Sequence, residues 1–182
     1  SSLLWPPFDK GHRDPGYIKA YPPGTRENGG QYSHAAAWLG IAFAKQKEPE
    51  KAFSIFETIS PVRRTDERAK AEHYRREPYA VAGDIAAAVP HSGRGGWSWY
   101  TGAAGWTWRL GIENILGLRR TDGNLVVDPC IPRSWGGYSA ELQSQTGAIS
   151  VRVEDPDGLG CGNAELMIDG KVSTDKTIPF PK

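Results

Sequence analysis

Two stretches of the chain gather residue types able to hold a ligand. They are Glu27-Asn-Gly-Gly-Gln-Tyr-Ser-His34-Ala-Ala-Ala-Trp38 and Gly93-Arg-Gly-Gly-Trp-Ser-Trp-Tyr-Thr101-Gly102-Ala-Ala-Gly-Trp106. Each runs into what reads as the start of a helix. Glycine lets backbone approach a ligand closely, and a helix N-terminus offers unpaired N–H groups to an anion. Tryptophan adds a flat apolar face with one polar handle. Together these suit a sugar lying beside an anion.

His34 stands at a helix entry, and a backbone-satisfied histidine is the plain reading. Its neighbours Glu27, Asn28 and Gln31 fall in one loop, where binding residues concentrate, and a protonated imidazole is an anion ligand. Thr101 and Gly102 are explained by capping alone, yet a capped N-terminus also presents free N–H groups and partial positive charge. Trp97 and Trp99, in a glycine-rich loop, are candidates to line a site, whereas Trp106 and Trp108 face different sides of one helix and at least one packs inward. Glu27, Glu77, Asp84 and Asp14 are the nearby carboxylates. Glycoside chemistry needs a carboxylic acid to protonate the leaving oxygen, and the sequence does not choose among them. There is no Gly-x-Ser-x-Gly, no metal-ligand spacing, and no dinucleotide or Walker loop.

The elements that position these residues change character near Gly117. Before it, His34 to Gln46 is apolar nearly all round, a helix to be enclosed by neighbours. Glu50 to Ile59 carries one apolar stripe and stops at Ser60-Pro61, and Thr101 to Leu116 is a third helix ended by Gly117. Arg63 to Arg76 is charged and reads as a solvated helix or loop. After Gly117 come short strands: Asn124 to Val127 behind Thr121-Asp-Gly123, Tyr138 to Leu142, Ala148 to Val153, and Ala164 to Ile168 with Lys171 to Ser173 around Asp169-Gly170. Thr177 to Lys182 is read as ending without a closing strand. The fold class is therefore mainly α with a C-terminal β-unit. The few helices cannot surround one another, so the chain is expected to be a piece of a larger protein.

With 182 residues and a net charge of +1, nothing invites nucleic acid or an anionic membrane. No apolar run reaches membrane-spanning length and no signal peptide opens the chain, so a soluble, cytoplasmic protein is expected. Cys130 and Cys161 match no metal or redox spacing and are expected to be reduced in a packed interior, a disulfide between them being the unsupported alternative.

Several motifs occur in one order: Asp14-Pro-Gly-Tyr-Ile-Lys-Ala-Tyr-Pro-Pro-Gly-Thr-Arg-Glu-Asn-Gly-Gly-Gln-Tyr-Ser-His34, Glu77-Pro-Tyr79, Gly95-Gly-Trp-Ser-Trp-Tyr-Thr-Gly-Ala-Ala-Gly-Trp106, Ile115-Leu-Gly-Leu-Arg119 and Val127-Asp-Pro-Cys-Ile-Pro132. This order resembles the C-terminal part of glycoside hydrolase family 94, the inverting cellobiose and chitobiose phosphorylases, and most of all the phosphorylase-like region of cyclic β-1,2-glucan synthases. The resemblance implies the last helices of an (α/α)6 barrel in residues 1–117 and a small antiparallel β-sheet unit, truncated, in 118–182. It implies phosphorolysis of β-glucosides to α-glucose 1-phosphate, with inorganic phosphate as co-substrate and no cofactor or metal. By resemblance His34, Thr101 and Gly102 bind phosphate and Glu27 lines the sugar subsite; Trp97 and Trp99, from their glycine-rich loop, are added as substrate contacts. The general-acid Asp of that family would lie upstream of this chain, so no catalytic residue is assigned and the isolated segment is expected to be inactive. The implied partners are a β-glucan oligosaccharide, phosphate and the remainder of a parent polypeptide, a homo-oligomer being left open. The location is then cytoplasmic, with the soluble region of a membrane-anchored synthase left open as its setting. Where cellobiose-type enzymes carry glutamine after Glu-Pro-Tyr, this chain has Gly83-Asp84, which favours the β-1,2 group. A non-catalytic β-glucan-binding module, an inverting glycosidase on the same barrel, and a purely structural segment that completes a barrel for a distant site are the competing readings.

Overall fold

A computed structural model describes the chain except residues 1, 3, 12, 13, 100, 163, 164, 174–176, 181 and 182, and the side chain of residue 101. Two compact units result, Ser1–Leu39 with Ile55–Trp108, and Gly40–Ser54 with Arg109–Lys182. Five α-helices and several small antiparallel sheets make up the described residues.

Helix α1 (Ser33–Lys45) opens in the first unit and ends in the second. Ala36 and Ala37 are buried, but Trp38 and Ala42 are exposed, so the described residues do not enclose it. Helix α2 (Pro49–Ile59) starts at a proline, whose missing N–H costs nothing at that position, with Glu50 favourably placed in its first turn. Ser60-Pro61 stops α2 and at once starts α3 (Pro61–Thr65), because the proline stands at the first helical position again. Helix α4 (Arg68–Tyr74) takes up the rest of the charged stretch and ends at left-handed Arg75. It is a solvated helix stitched by exposed i,i+4 ion pairs, Arg68–Glu72 at 2.8 Å and Lys70–Asp66 at 2.9 Å. Its last residue, Tyr74, turns inward and packs with Ala82 and Ile85. Helix α5 is Thr101–Trp108.

Two short strands hold this unit together. Strand β1 (Gln31–Tyr32) pairs antiparallel with β2 (Asp84–Ile85), Gln31 opposite Ile85 and Tyr32 opposite Asp84. The far edge of β2 takes the glycine-rich segment: Gly96 N–H donates to the Asp84 carbonyl (2.8 Å), and Gly83 N–H to the Trp97 carbonyl (2.5 Å).

In the second unit the expected helix to Leu116 changes form. From Arg109 to Ile115 it widens into a π-helix, with Leu116 N–H donating to the Gly111 carbonyl at 2.9 Å, and the Asn114 side-chain Nδ2 donates to the Arg109 carbonyl. Gly117, at φ +74°, ends it, and strand β3 (Leu118–Thr121) begins directly. Asp122-Gly123, both at positive φ, turn β3 into β4 (Asn124–Val127). Strands β5 (Gly137–Gln143) and β6 (Ala148–Glu154) face Tyr138, Ala140 and Leu142 against Val153, Val151 and Ile149. These side chains pack on Leu118 and Leu125 as the core of the unit. Strands β7 (Leu166–Ile168) and β8 (Lys171–Ser173) form the hairpin expected around Asp169-Gly170, while Ala164, with which that strand was to begin, lies outside the described residues.

One expectation is corrected. Thr177–Pro179 does form a strand, β9, paired with Asn124–Val126 as the third member of the sheet β3-β4-β9. Pro179 is tolerated in it because β9 lies at an edge, where a residue without an N–H does not break the ladder. Both cysteines are free, Cys130 buried and Cys161 partly exposed, and they oppose each other across an antiparallel bridge.

Candidate functional site

All the residues singled out for chemistry fall in the first unit. Ser33 N–H donates to the Gly83 carbonyl (2.9 Å), which places His34 in the first turn of α1 just beyond the β1–β2 ladder. The imidazole meets Trp38 edge-on one turn later, with ring centroids 4.4 Å apart. It lies nearly parallel to Trp106 at 6.2 Å, with Tyr32 at 6.0 Å. Its Nε2 is buried and finds no hydrogen-bond partner among the described residues. Gly102, in the first turn of α5, is so close that a Cβ on it would stand 3.6 Å from His34 Nδ1. A histidine and a helix N-terminus distant in sequence are thus side by side. The Thr101 side chain lies outside the described residues.

The Glu27 loop is less uniform than its sequence suggests. Asn28 is fully buried and its amide is wholly used: Oδ1 accepts from Phe8 N–H at 2.6 Å, while Nδ2 donates to the carbonyls of Phe8 (3.2 Å) and Tyr21 (2.8 Å). It pins the loop and is no ligand. Gln31 is also buried, yet neither atom of its amide has a partner among the described residues. Glu27 Oε2 is buried without a hydrogen bond and lies 3.8 Å from Arg26 Nε. The Arg26 guanidinium stacks 4.5 Å over the Trp97 ring, so Glu27 and Trp97 flank one arginine.

Trp97 and Trp99 are both largely exposed, 61% and 70%, as contacts for an external ligand must be. Trp99 sits at φ +66° and donates its indole N–H to Glu77 Oε1 at 3.1 Å, with Tyr79 edge-on at 6.0 Å. The Glu77 backbone amide, then the Trp99 indole and Ser98, hold the Glu77 carboxyl below its ordinary range. Glu77 is therefore an ionised anchor for the tryptophan loop. Asp14 is exposed and paired with Lys19 at 3.0 Å. Asp84 is buried, accepting from Arg26 N–H at 3.3 Å.

Two clusters result: His34, Gly102, Trp38 and Trp106 in one, and Glu27, Arg26 and Trp97 in the other. Gly83 joins them, accepting from Ser33 and donating to Trp97. Arg26 was missed by sequence reasoning, which followed acids, histidine and tryptophans. Its signal, an arginine beside Glu27 in a tight turn, has meaning only once Trp97 is known to lie above it. Among the described residues, no group of three His, Cys, Asp or Glu side chains is arranged to hold a metal ion.

An imidazole set against a helix N-terminus can hold an anion, and exposed tryptophans can stack on a sugar ring. The chain belongs to the glycosyl hydrolase 94 superfamily, whose catalytic-domain profile matches residues 1–117. It is 50% identical over 158 residues to the cyclic beta-(1,2)-glucan synthase NdvB of Rhizobium meliloti (strain 1021), covering 86% of this chain and 6% of that protein. It is 28% identical over 168 residues to the N,N'-diacetylchitobiose phosphorylase of Vibrio furnissii, 91% of this chain and 20% of the relative. It is also 28% identical over 180 residues to the 3-O-beta-D-glucopyranosyl-beta-D-glucuronide phosphorylase of Paenibacillus borealis, 98% of this chain and 23% of the relative. The chain therefore spans a quarter or less of the length of each. These relatives are, by name, a glucan synthase and two phosphorylases. Among the described residues no helix is long and apolar enough to cross a membrane.

Proposed function

We propose that the chain is the C-terminal segment of a cyclic β-1,2-glucan synthase or β-glucan phosphorylase. In this reading it supplies the phosphate- and sugar-binding half of a site for inverting phosphorolysis of β-glucosides to α-glucose 1-phosphate. Residues 1–117 contribute the last helices of an (α/α)6 barrel, and 118–182 its β-rich C-terminal unit. Within a longer polypeptide it is the soluble, cytoplasmic region of a membrane-anchored synthase.

The observation that carries the reading is the approach of Gly102 to the His34 imidazole, whose second nitrogen is buried without a partner. Phosphate bound there receives charge-assisted hydrogen bonds from the imidazole and N–H groups from the first turn of α5, with Thr101 beside them. One phosphate oxygen attacks the anomeric carbon from the face opposite the glycosidic bond. That bond breaks, and the departing sugar oxygen takes a proton from a carboxylic acid outside this chain. Phosphate replaces the second carboxylate and water of a hydrolase. Glu27, Trp97 and Trp99 hold the sugar.

Calorimetric titration with inorganic phosphate tests the reading. His34→Ala should weaken phosphate binding about tenfold or more, the loss of one charge-assisted hydrogen bond. Equal affinity in the variant, or no binding by the parent chain, would refute it. A yield of α-glucose 1-phosphate from sophoro-oligosaccharides and phosphate with this chain alone would refute the assignment of the acid to another segment. The exposure of Trp97 and Trp99 also favours a second reading, a β-glucan-binding module. Oligosaccharide binding with no response to phosphate would select it.

A further inference from the structure

Asp84 is a buried carboxylate that the proposed reaction leaves unused, and its surroundings give it a task. It is 3% exposed and stands at the centre of three segments. Its backbone opposes Tyr32 in the β1–β2 ladder. Its carbonyl accepts from Gly96 N–H at 2.8 Å. Its carboxylate accepts from Arg26 N–H at 3.3 Å and presses so closely on Gly96 that a Cβ there would overlap it. The Arg76 side chain closes the other side of this contact, donating through Nε to the Gly96 carbonyl.

The two segments that this carboxylate joins carry the two halves of the sugar subsite. On the turn, Arg26 is followed by Glu27. On the glycine segment, Gly96 is followed by Trp97, and the Arg26 guanidinium stacks on that indole at 4.5 Å. We infer that Asp84 is a positioning residue for the sugar subsite: its carboxylate fixes the Arg26-Glu27 turn against Gly96-Trp97, and so sets the spacing between the acid and the indole that grip the glucan. This rests on the proposed sugar contacts of Glu27 and Trp97. Among the described residues the Asp84 carboxylate bonds Arg26 N–H and not His34 or Gly102, and the two clusters are linked through the backbone of Gly83 instead, so loss of the carboxylate should fall first on the sugar side. Gly96 is the sequence counterpart of the same device, since any larger residue displaces the acid.

The test uses the intact parent enzyme, with steady-state phosphorolysis of β-1,2-linked gluco-oligosaccharide. Asp84→Ala should raise the oligosaccharide KM about tenfold while the phosphate KM stays within about twofold, because a charged hydrogen bond is lost on one side of the site only. Asp84→Asn keeps the shape and one acceptor oxygen and should restore the oligosaccharide KM to within about threefold of the parent. Gly96→Ala should reproduce the Asp84→Ala effect, and the double variant Gly96→Ala/Asp84→Ala should be no worse than either single one, the non-additivity of groups in contact. An oligosaccharide KM unchanged in folded Asp84→Ala overturns the inference, as does a phosphate KM that rises equally. Should Asp84→Ala fail to fold, Gly96→Ala decides in the same way. His34→Ala in the same assay should raise the phosphate KM. If it does not, the phosphate reading fails, while the oligosaccharide KM values still decide on Asp84.

Discussion

Asn28 and Gln31 offer a direct test of how the Glu27 loop is built. Both are buried amides three residues apart, 0% and 9% exposed, and composition does not distinguish them. Asn28→Ala removes three hydrogen bonds and strands Phe8 N–H and the carbonyls of Phe8 and Tyr21. At about 1 kcal/mol net for each bond the loss is about 3 kcal/mol, and more if the stranded groups stay dry. Gln31→Ala removes an amide with no partner among the described residues. The relief of an unpaired polar group then offsets the lost packing, leaving stability within about 1 kcal/mol of the parent. Urea unfolding followed by tryptophan fluorescence is the assay. It reports chiefly on the first unit, which holds every tryptophan but Trp135. An Asn28→Ala loss below about 1 kcal/mol, or an equal loss in both variants, would refute the assignment of Asn28 as a pin.

The two thiols of the second unit should differ in chemistry. Burial, then the neighbouring Cys161, pushes the Cys130 thiol up to about 11, so alkylation at pH 8 should modify Cys161 first, with peptide mass spectrometry reading the order. Since the unfolded chain releases this proton near pH 9 and the folded chain holds it to about 11, stability present below that window falls as pH rises through it. Cys130→Ala should remove that part of the decline in Tm between the two values.

Much of the scaffold was legible in the sequence because its signals are local. Pro49, Pro61, Gly117 and the two Asp-Gly turns punctuate the chain by backbone preference alone, and alternation in Tyr138–Leu142 and Ala148–Val153 shows which face is buried. The change from α-helix to π-helix at Arg109–Ile115 was not legible, since its apolar spacing reads as one continuous helix. Strand β9 was hidden because edge position, which excuses its proline, is a property of the finished sheet. At the site, residue types marked the right loops but not the division of labour within them. Asn28 and Glu27 are adjacent, yet one is spent on Phe8 and Tyr21 and the other keeps a buried oxygen that makes no hydrogen bond among the described residues and faces Arg26 at 3.8 Å. That difference arises from segments far apart in sequence.

The glycines sharpen the same distinction and lead to a last prediction. Gly30 is required by the fold, because a Cβ would stand 2.5 Å from Arg26 N and 2.6 Å from its carbonyl oxygen. Gly96 is required by the Asp84 carboxylate. Gly102 is required by neither. Its backbone is helical, and the nearest atom to a Cβ would be His34 Nδ1 at 3.6 Å, an ordinary contact. Within the folded chain alone, Gly102→Ala should therefore raise stability by about 0.5–1 kcal/mol, as alanine does in a helix. What the methyl would occupy is the space beside the imidazole. If an anion uses that space, the same substitution should weaken phosphate binding while Tm rises, a divergence that loss of structure does not produce. Thermal unfolding and phosphate calorimetry on one variant separate the two effects. A more stable Gly102→Ala with unaltered phosphate affinity would show that the glycine marks no anion site.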